Sequence, residues 1–480
     1  MTAIAPVLIP LLVAGVAFLW PTERTRPVLL PVAGVAHTAL TFWLLFKPPT
    51  AASSVWLGFD PLARSVLPMV SLLFLVCSIY SVAYLRVRSE RQNRLFVAAL
   101  LALLGLLSLA IESENLGLLW VAAEAATLVA VPLVHFNGTA RAFEATWKYL
   151  LVGGTGIALS LLGSFCLGYA SLKGGGSGDL AFDALTAQGA ALSGPWLVAA
   201  WVLLLVGYGT KMGLAPMHTW KPDSYGEAPG VVGALFAGGL TTMAFVGILR
   251  VKQVVDAAGG TEMTGRTLLV LGLFSMLVAA LFLLGTPDFK RMLAYSSIEQ
   301  MGILAVGAAL GSAGIWAALF HVWNNGLTKG ALFLSAGNIR RVAGARTVNE
   351  VSGMAWRAPR SARMFVVGLF AITACPPFGP FFSELRILRA ALESGHWLAV
   401  AGFLGCLLLG FIGMSRLVFA IVDGRPRIAA RTAGNRFPES IGVVLPPLAF
   451  LGLSLWLGLA TPTFLRDTWS VAAQHLFPVP

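Results

Sequence analysis

The stretch GYGTKMGLAPMHTWKPDSYGEAP, from Gly207 to Pro229, sets a lysine beside a broken helix. It follows the apolar run PWLVAAWVLLLV (Pro195 to Val206), so Lys211 falls at membrane depth. An ammonium at the centre of a spanning helix costs roughly 2.5–3.5 kcal/mol. Pro216 removes a backbone donor shortly afterwards, with Gly213 and Pro222 loosening the ladder on either side. A cation beside such a break is expected where irregular backbone lines a polar cavity, not where it faces lipid. A lysine that snorkels to the interface is the plainer alternative.

The rest of the chain is as apolar as this stretch requires. Of 480 residues 57% are hydrophobic and 11% charged, against about 25% charged in a soluble domain. Mean hydropathy is +0.82. The expected fold class is therefore an all-α membrane protein. The 52 glycines suit close helix packing in lipid. The net charge of +12 does not mark a nucleic-acid binder, because Lys and Arg gather in alternate loops, the signature of membrane orientation. Cys77, Cys166, Cys375 and Cys406 stand singly in apolar runs, so no iron–sulfur cluster, zinc site or other cofactor is expected.

Counting apolar stretches gives about fourteen spans. The seventh covers 195–220, the eleventh 313–338 and the twelfth 362–391. Basic loops include 22–26, 86–94, Arg141, the segment after Lys221, 289–291, Arg340–Arg363 and Arg425–Arg436, whereas 47–62, 111–114, 171–194 and 392–396 are poor in Lys and Arg. Arg250, Lys252 and Arg266 make 250–266 a mild exception. This alternation places both termini on the outer side of a prokaryotic plasma membrane. The loop LKGGGSGD (172–179) reads as a flexible linker without phosphate-cradling spacing.

The twelfth span, FAITACPPFGPFFSELRIL, breaks at Pro376, Pro377 and Pro380 and carries Glu384. It lies an odd number of spans after the Lys211 span, so repeats containing the two breaks have opposite orientation. The expected division is an N-terminal three-helix segment (1–94), a first inverted repeat of helices 4–8 (95–251), a second of helices 9–13 (252–422), and helix 14 with its tail (423–480).

Further ionisable residues stand at membrane depth. They are Glu124 in the fifth span, Lys148 at the start of the sixth, Glu299 in the tenth, and His321 and Lys329 in the eleventh; His218 joins them from the Lys211 stretch. His321, Asn325 and Lys329 share one helical face. Singly, each reads equally as a satisfied structural group, and Lys148 as an interfacial anchor. Their number and alternating sign point instead to an ion pathway. Moving a carboxylate toward or away from a buried lysine loads or releases a proton, and a histidine shuttles between them.

The motifs GTKMGLAPMHTWKPDSYGEAP, KRMLAYSSIEQMGI, NNGLTKGALFLSAGNI and CPPFGPFFSE resemble the antiporter-like membrane subunits shared by respiratory complex I, Mrp-type cation/proton antiporters and membrane-bound group 4 hydrogenases. The resemblance spans roughly 95–420. WVAAEAATLVAVPLV and EATWKYLLVGGTGIALSLLG are most similar to hydrogenase-4 component F. It implies a fourteen-helix fold and proton translocation coupled to a redox partner. Glu124 and Lys211 would then be the paired residues of helices 5 and 7, Lys329 the lysine of helix 11, and Glu384 the terminal residue of helix 12. The chain departs from the pattern at Thr242, where the family often has a lysine, and at Gln300 and Asn325, where it has histidines. Tyr225, Gly226 and Lys221 also differ from the usual helix-7 motif. A protonatable wire from Lys211 to Lys329 would thus have a gap, bridged by water or marking a subunit that no longer pumps.

The leading expectation is a proton-translocating subunit of a membrane-bound hydrogenase or formate hydrogenlyase-type complex, without a redox centre of its own. Its partners would be other membrane subunits, a soluble hydrogenase or dehydrogenase arm, and the lipid bilayer. The alternatives are a subunit of an NADH:quinone oxidoreductase or Mrp-type Na+/H+ antiporter, and a non-pumping anchor for an electron-transfer arm. The mixed buried set favours protons over sodium, which prefers several oxygen ligands.

Overall fold

The computed structural model describes residues 4–48, 56–424 and 439–477; the basic loop Arg425–Arg436 lies outside the described residues. Among them the regular secondary structure is helical, with no strand beyond isolated bridges. Among the described residues ten helices are long and apolar enough to cross a membrane. The chain is membrane-embedded and all-α.

The N-terminal part comprises α1 (Ala5–Leu19), α2 (Leu29–Phe46), α3 (Pro61–Val87) and α4 (Arg94–Ile111), with α1 packed on α4 and α2 on α3. Asp60 starts α3 by accepting the Ala63 N–H at 2.8 Å, with Pro61 in its first turn. Next come α5 (Leu116–His135), α6 (Ala140–Lys173) and a short α7 (Phe182–Gln188). Asn115 caps α5 and pairs through its backbone with Ala181, so the chain after the glycine linker is tied to the start of α5.

The Lys211 span is split as its sequence indicates. α8 (Gly194–Met212) ends at Gly213, whose φ of 82° is a left-handed cap that suits glycine. A turn holding Pro216 follows, and the chain re-enters a helix as α9 (Trp220–Glu227). Helical structure therefore continues past residue 220. Lys221 is no loop lysine but lies fully buried in the first turn of α9, correcting its assignment to a basic loop. The freed N–H of Ala215 donates to Ser275 Oγ at 2.9 Å, the side-chain satisfaction that a break in lipid demands.

α10 (Gly230–Leu235) runs through a π turn at Phe236–Leu240 into α11 (Thr241–Ala257), and residues 230–252 of this segment are all buried. α12 (Thr261–Gly285) packs on α13 (Phe289–Ala309) where Gly272 and Gly302 each lie against the other's carbonyl; a Cβ at Gly272 would stand 2.8 Å from the Gly302 oxygen. α14 (Gly311–Ala343) follows. α13 and α14 are long, almost entirely buried and absent from the ten apolar spans, so two helices carrying many polar residues occupy the interior.

After α15 (Met354–Arg357), the second broken span comprises α16 (Pro359–Ile372) and α17 (Gly379–Glu393). Pro376 and Pro377 lie in the break, whereas Pro380 falls in the first turn of α17, where proline starts a helix rather than breaking one. The two breaks match locally. Leu214 N–H reaches back to Gly209 O and Cys375 N–H to Phe370 O, both at 2.9 Å, each after a left-handed residue, Gly213 or Ala374. α18 (Trp397–Val422), α19 (Ile441–Leu459) and an amphipathic α20 (Thr463–Leu476) complete the fold. α20, which the sequence reading did not anticipate, buries Trp469 against Trp316, Phe320 and Trp323.

The exception at 250–266 has a physical cause. Arg250 donates to Asp60 Oδ1 at 3.1 Å and Glu114 Oε2 at 3.5 Å, and Lys252 pairs with Asp256, so two of its charges are neutralised by carboxylates. Burial pushes the Glu114 carboxyl, between α4 and α5, up to about 7, with Arg250 opposing and Asp60 and Asp183 adding to the rise. Raised above its unfolded value, this group contributes stability at acidic pH that is lost as pH climbs through about 7. At about 1.4 kcal/mol per pKa unit, the loss between pH 4.5 and 7 is about 3 kcal/mol. Melting curves of the solubilised protein at pH 5 and pH 8 should show this decline, and Glu114→Gln should make it shallower. An unchanged slope in the variant would remove Glu114 as its source.

Candidate functional site: two buried lysine clusters

The first cluster forms where α5, α6 and α8 meet. Lys211, 1% exposed, donates to Thr127 Oγ1 and to the Tyr149 hydroxyl at 3.0 Å, with its ammonium 4.8 Å from the Tyr149 ring centre. Glu124 lies one turn before Thr127 on the same face of α5. It makes no ion pair with Lys211 within 4 Å; its Oε2 is buried without a partner while the residue as a whole is half-buried. Hydroxyls thus hold the lysine, and the carboxylate stands one turn away.

The second cluster repeats this plan on α13 and α14. Lys329, fully buried, donates to Ser296 Oγ at 2.7 Å and to Leu293 O at 3.4 Å. Glu299 lies one turn after Ser296, is 4% exposed, and has an unpaired Oε1 facing α18, where Gly410 leaves it room. In the first cluster the carboxylate precedes the hydroxyl along the chain; in the second it follows. His321 shares Ser383 Oγ through Nδ1 at 2.9 Å, and its Nε2 is unpartnered. Glu384, 2% exposed, follows Ser383 on α17. Both its oxygens lack an aligned hydrogen bond, although Gln300 approaches them.

The structure therefore brings Glu124 and Lys211 into one neighbourhood, and Glu299, His321, Lys329 and Glu384 into another. Lys148 belongs to neither. It is surface-exposed, pairing with Glu144 at 2.6 Å and Asp223 at 2.9 Å, because α6 begins earlier than the apolar run suggests and its first turns stand clear of the interior. His218 lies half-buried in the break, its Nδ1 unpartnered and its ring 6.3 Å from that of Phe282. Pro216 is exposed beside it.

Between the clusters, Thr242 spends its hydroxyl on Gly238 O of its own helix at 2.8 Å, and Asn325 donates to Ala237 O at 3.2 Å. That carbonyl belongs to the π turn, a local irregularity frequent at functional sites. Residues that sequence reasoning missed are Thr127, Tyr149, Ser296, Ser297 and above all Lys221. Hydroxyl residues at one-turn spacing from each buried glutamate were the available signal for Thr127 and Ser296.

Residues 113–410 match the model of the NADH:quinone oxidoreductase/Mrp antiporter transmembrane family. The chain belongs to that family. All members of both clusters fall within the matched region. The chain is 37% identical over 334 residues to a hydrogenase-4 component F homolog of Methylacidiphilum infernorum (isolate V4), covering 68% of this chain and 69% of the relative. It is 31% identical over 410 residues to NADH-quinone oxidoreductase subunit N of Desulforudis audaxviator (strain MP104C), covering 83% and 80%. In fold it is similar to a chain of the Mrp complex from Dietzia sp. DQ12-45-1b, with a TM-score of 0.88, 22% identity, and coverage of 100% of this chain and 98% of that one. The antiporter-like resemblance expected from the four motifs is thus shown.

Proposed function

We propose that this chain is the proton-translocating membrane subunit of a redox-driven complex, of the group 4 hydrogenase or formate hydrogenlyase type. The observation that carries the reading is the repeated cluster: a buried lysine held by a hydroxyl, with a glutamate one turn away, each beside a broken helix. Uncompensated burial of a lysine costs several kcal/mol, so a row of such groups persists where ionic traffic requires it. Protons would pass among Glu124, Lys211, Glu299, His321, Lys329 and Glu384, with His218 at the first break; Lys148 in its surface ion pairs would serve at the mouth of this path.

The same reading takes each split helix as one crossing, giving about fourteen spans with both termini outside. The local match of the two breaks supports paired repeats at 95–251 and 252–422, flanked by segments 1–94 and 423–480. Partners would be further membrane subunits and, through them, a soluble hydrogenase or dehydrogenase arm. The similarity to the hydrogenase-4 component F homolog supports the hydrogenase assignment, and that to the NADH-quinone oxidoreductase relative supports the other reading.

Gentle solubilisation, capture of the tagged chain and metal analysis of its companions test the assignment. Nickel with a hydrogenase-like large subunit is the expected result. Small membrane subunits alone, without nickel or iron, would indicate an Mrp-type antiporter. A nickel-free NADH dehydrogenase arm would indicate the oxidoreductase reading; either would overturn the hydrogenase assignment.

A further inference from the structure

The two clusters need a connection, and the helix break supplies one. Lys221 is fully buried in the first turn of α9 and belongs to neither cluster. Its stem lies over Gly213, at the C-terminal end of α8, where a Cβ would stand within 2.8 Å of Nζ. That end of a helix carries roughly half a negative charge, which favours an ammonium. On its other side Lys221 donates to Ser297 Oγ at 3.4 Å. Ser297 is adjacent to Ser296, the hydroxyl that receives Lys329.

Toward the first cluster the link is aromatic and hydroxylic. The Lys221 ammonium stands 5.8 Å from the Tyr225 ring centre. Tyr225 packs against Trp220 at 5.9 Å, and Trp220 against Tyr149 at 5.3 Å, the ring whose hydroxyl receives Lys211. The Tyr225 hydroxyl is buried and lacks an aligned hydrogen bond, although Ser297 approaches it. By contrast, neither Thr242 nor Asn325 is ionisable, and both are already bonded to backbone carbonyls.

We propose that Lys221 is the central relay residue, passing protons between the Lys211 and Lys329 clusters. This rests on the translocation reading above. The Lys221 ammonium releases one proton to Ser297; the Ser297 and Ser296 hydroxyls each accept one and pass on their own, and the neutral Lys329 amine receives it. Lys221, now a neutral amine, recovers a proton from the Lys211 side across an interval lined by the Tyr225, Trp220 and Tyr149 rings, which water must bridge. One proton enters and one leaves, and every group returns to its starting state.

A structural alternative is that Lys221 supplies only a fixed positive charge to the end of α8. Arginine keeps that charge but does not release its proton, so it separates the two roles. The intact complex is reconstituted in vesicles, driven by its own redox reaction, and read with an entrapped pH dye. Lys221→Arg and Lys221→Gln are each expected to cut protons moved per turnover about tenfold or more. Translocation by Lys221→Arg within about twofold of the wild type would assign the lysine a structural role and overturn the relay. Ser297→Ala, a smaller change to the fold, is expected to cut translocation several-fold, and normal pumping by it would overturn the route even where Lys221→Arg fails to assemble. Lys211→Ala is measured alongside: if it too pumps normally, the translocation reading itself has failed rather than the relay.

Discussion

Lys211→Ala is expected to lower proton translocation roughly a hundredfold, the scale of losing a positioned proton carrier. The amine is 1% exposed and held by Thr127 and the Tyr149 hydroxyl, and a Cβ added at Gly153 would stand 3.9 Å from its Nζ. Alanine leaves two hydroxyls and a small cavity, none of which holds a proton for transfer. The fold should survive, because removing a buried charge together with its desolvation cost is often neutral for stability. Comparison of melting temperature, redox turnover and proton uptake in the same preparation separates the effects. Unchanged melting with lost uptake supports the assignment; normal uptake would remove Lys211 from the path.

The reason Lys211 was legible in the sequence is that a charge inside an apolar run has few cheap explanations. The same holds for Lys329, Glu299 and Glu384, each of which the structure places in the interior. Both helix breaks were legible as well, because proline and glycine act on the backbone locally, whatever packs around them. Pro380 shows the limit of that argument: the residue that breaks a helix also begins one, and only its register relative to Gly379 decides.

Lys221 was not legible for an equally physical reason. Counting loop charges assigns every lysine past an apolar run to the water phase, whereas a break resets the helical rise, so ten more residues need not carry the chain to the surface. Lys148 failed in the opposite direction. Its helix starts at Ala140, and the carboxylates that hold it, Glu144 and Asp223, come from one turn earlier and from a distant helix. Hydropathy similarly understates α13 and α14, whose polar residues face protein instead of lipid. α20 could be recognised only once α3 and α14 offered it a surface.

Glu384→Gln offers the second large effect, and the cleanest. The glutamate follows the second helix break, is 2% exposed, and neither oxygen has an aligned partner. Glutamine matches it in shape, so packing on α17 is preserved and only the ability to bind and release a proton is lost. Translocation should fall roughly a hundredfold, with the melting temperature unchanged or raised, because a carboxylate without a partner is costly to bury. Glu384→Asp keeps a titratable group on a shorter stem and should retain part of the flux. The comparison with Glu299→Gln then decides where protons leave the second cluster. Loss in both variants places the two carboxylates in series. Normal pumping by Glu384→Gln together with loss in Glu299→Gln would move the exit to Glu299, toward Gly410 on α18 and away from the break.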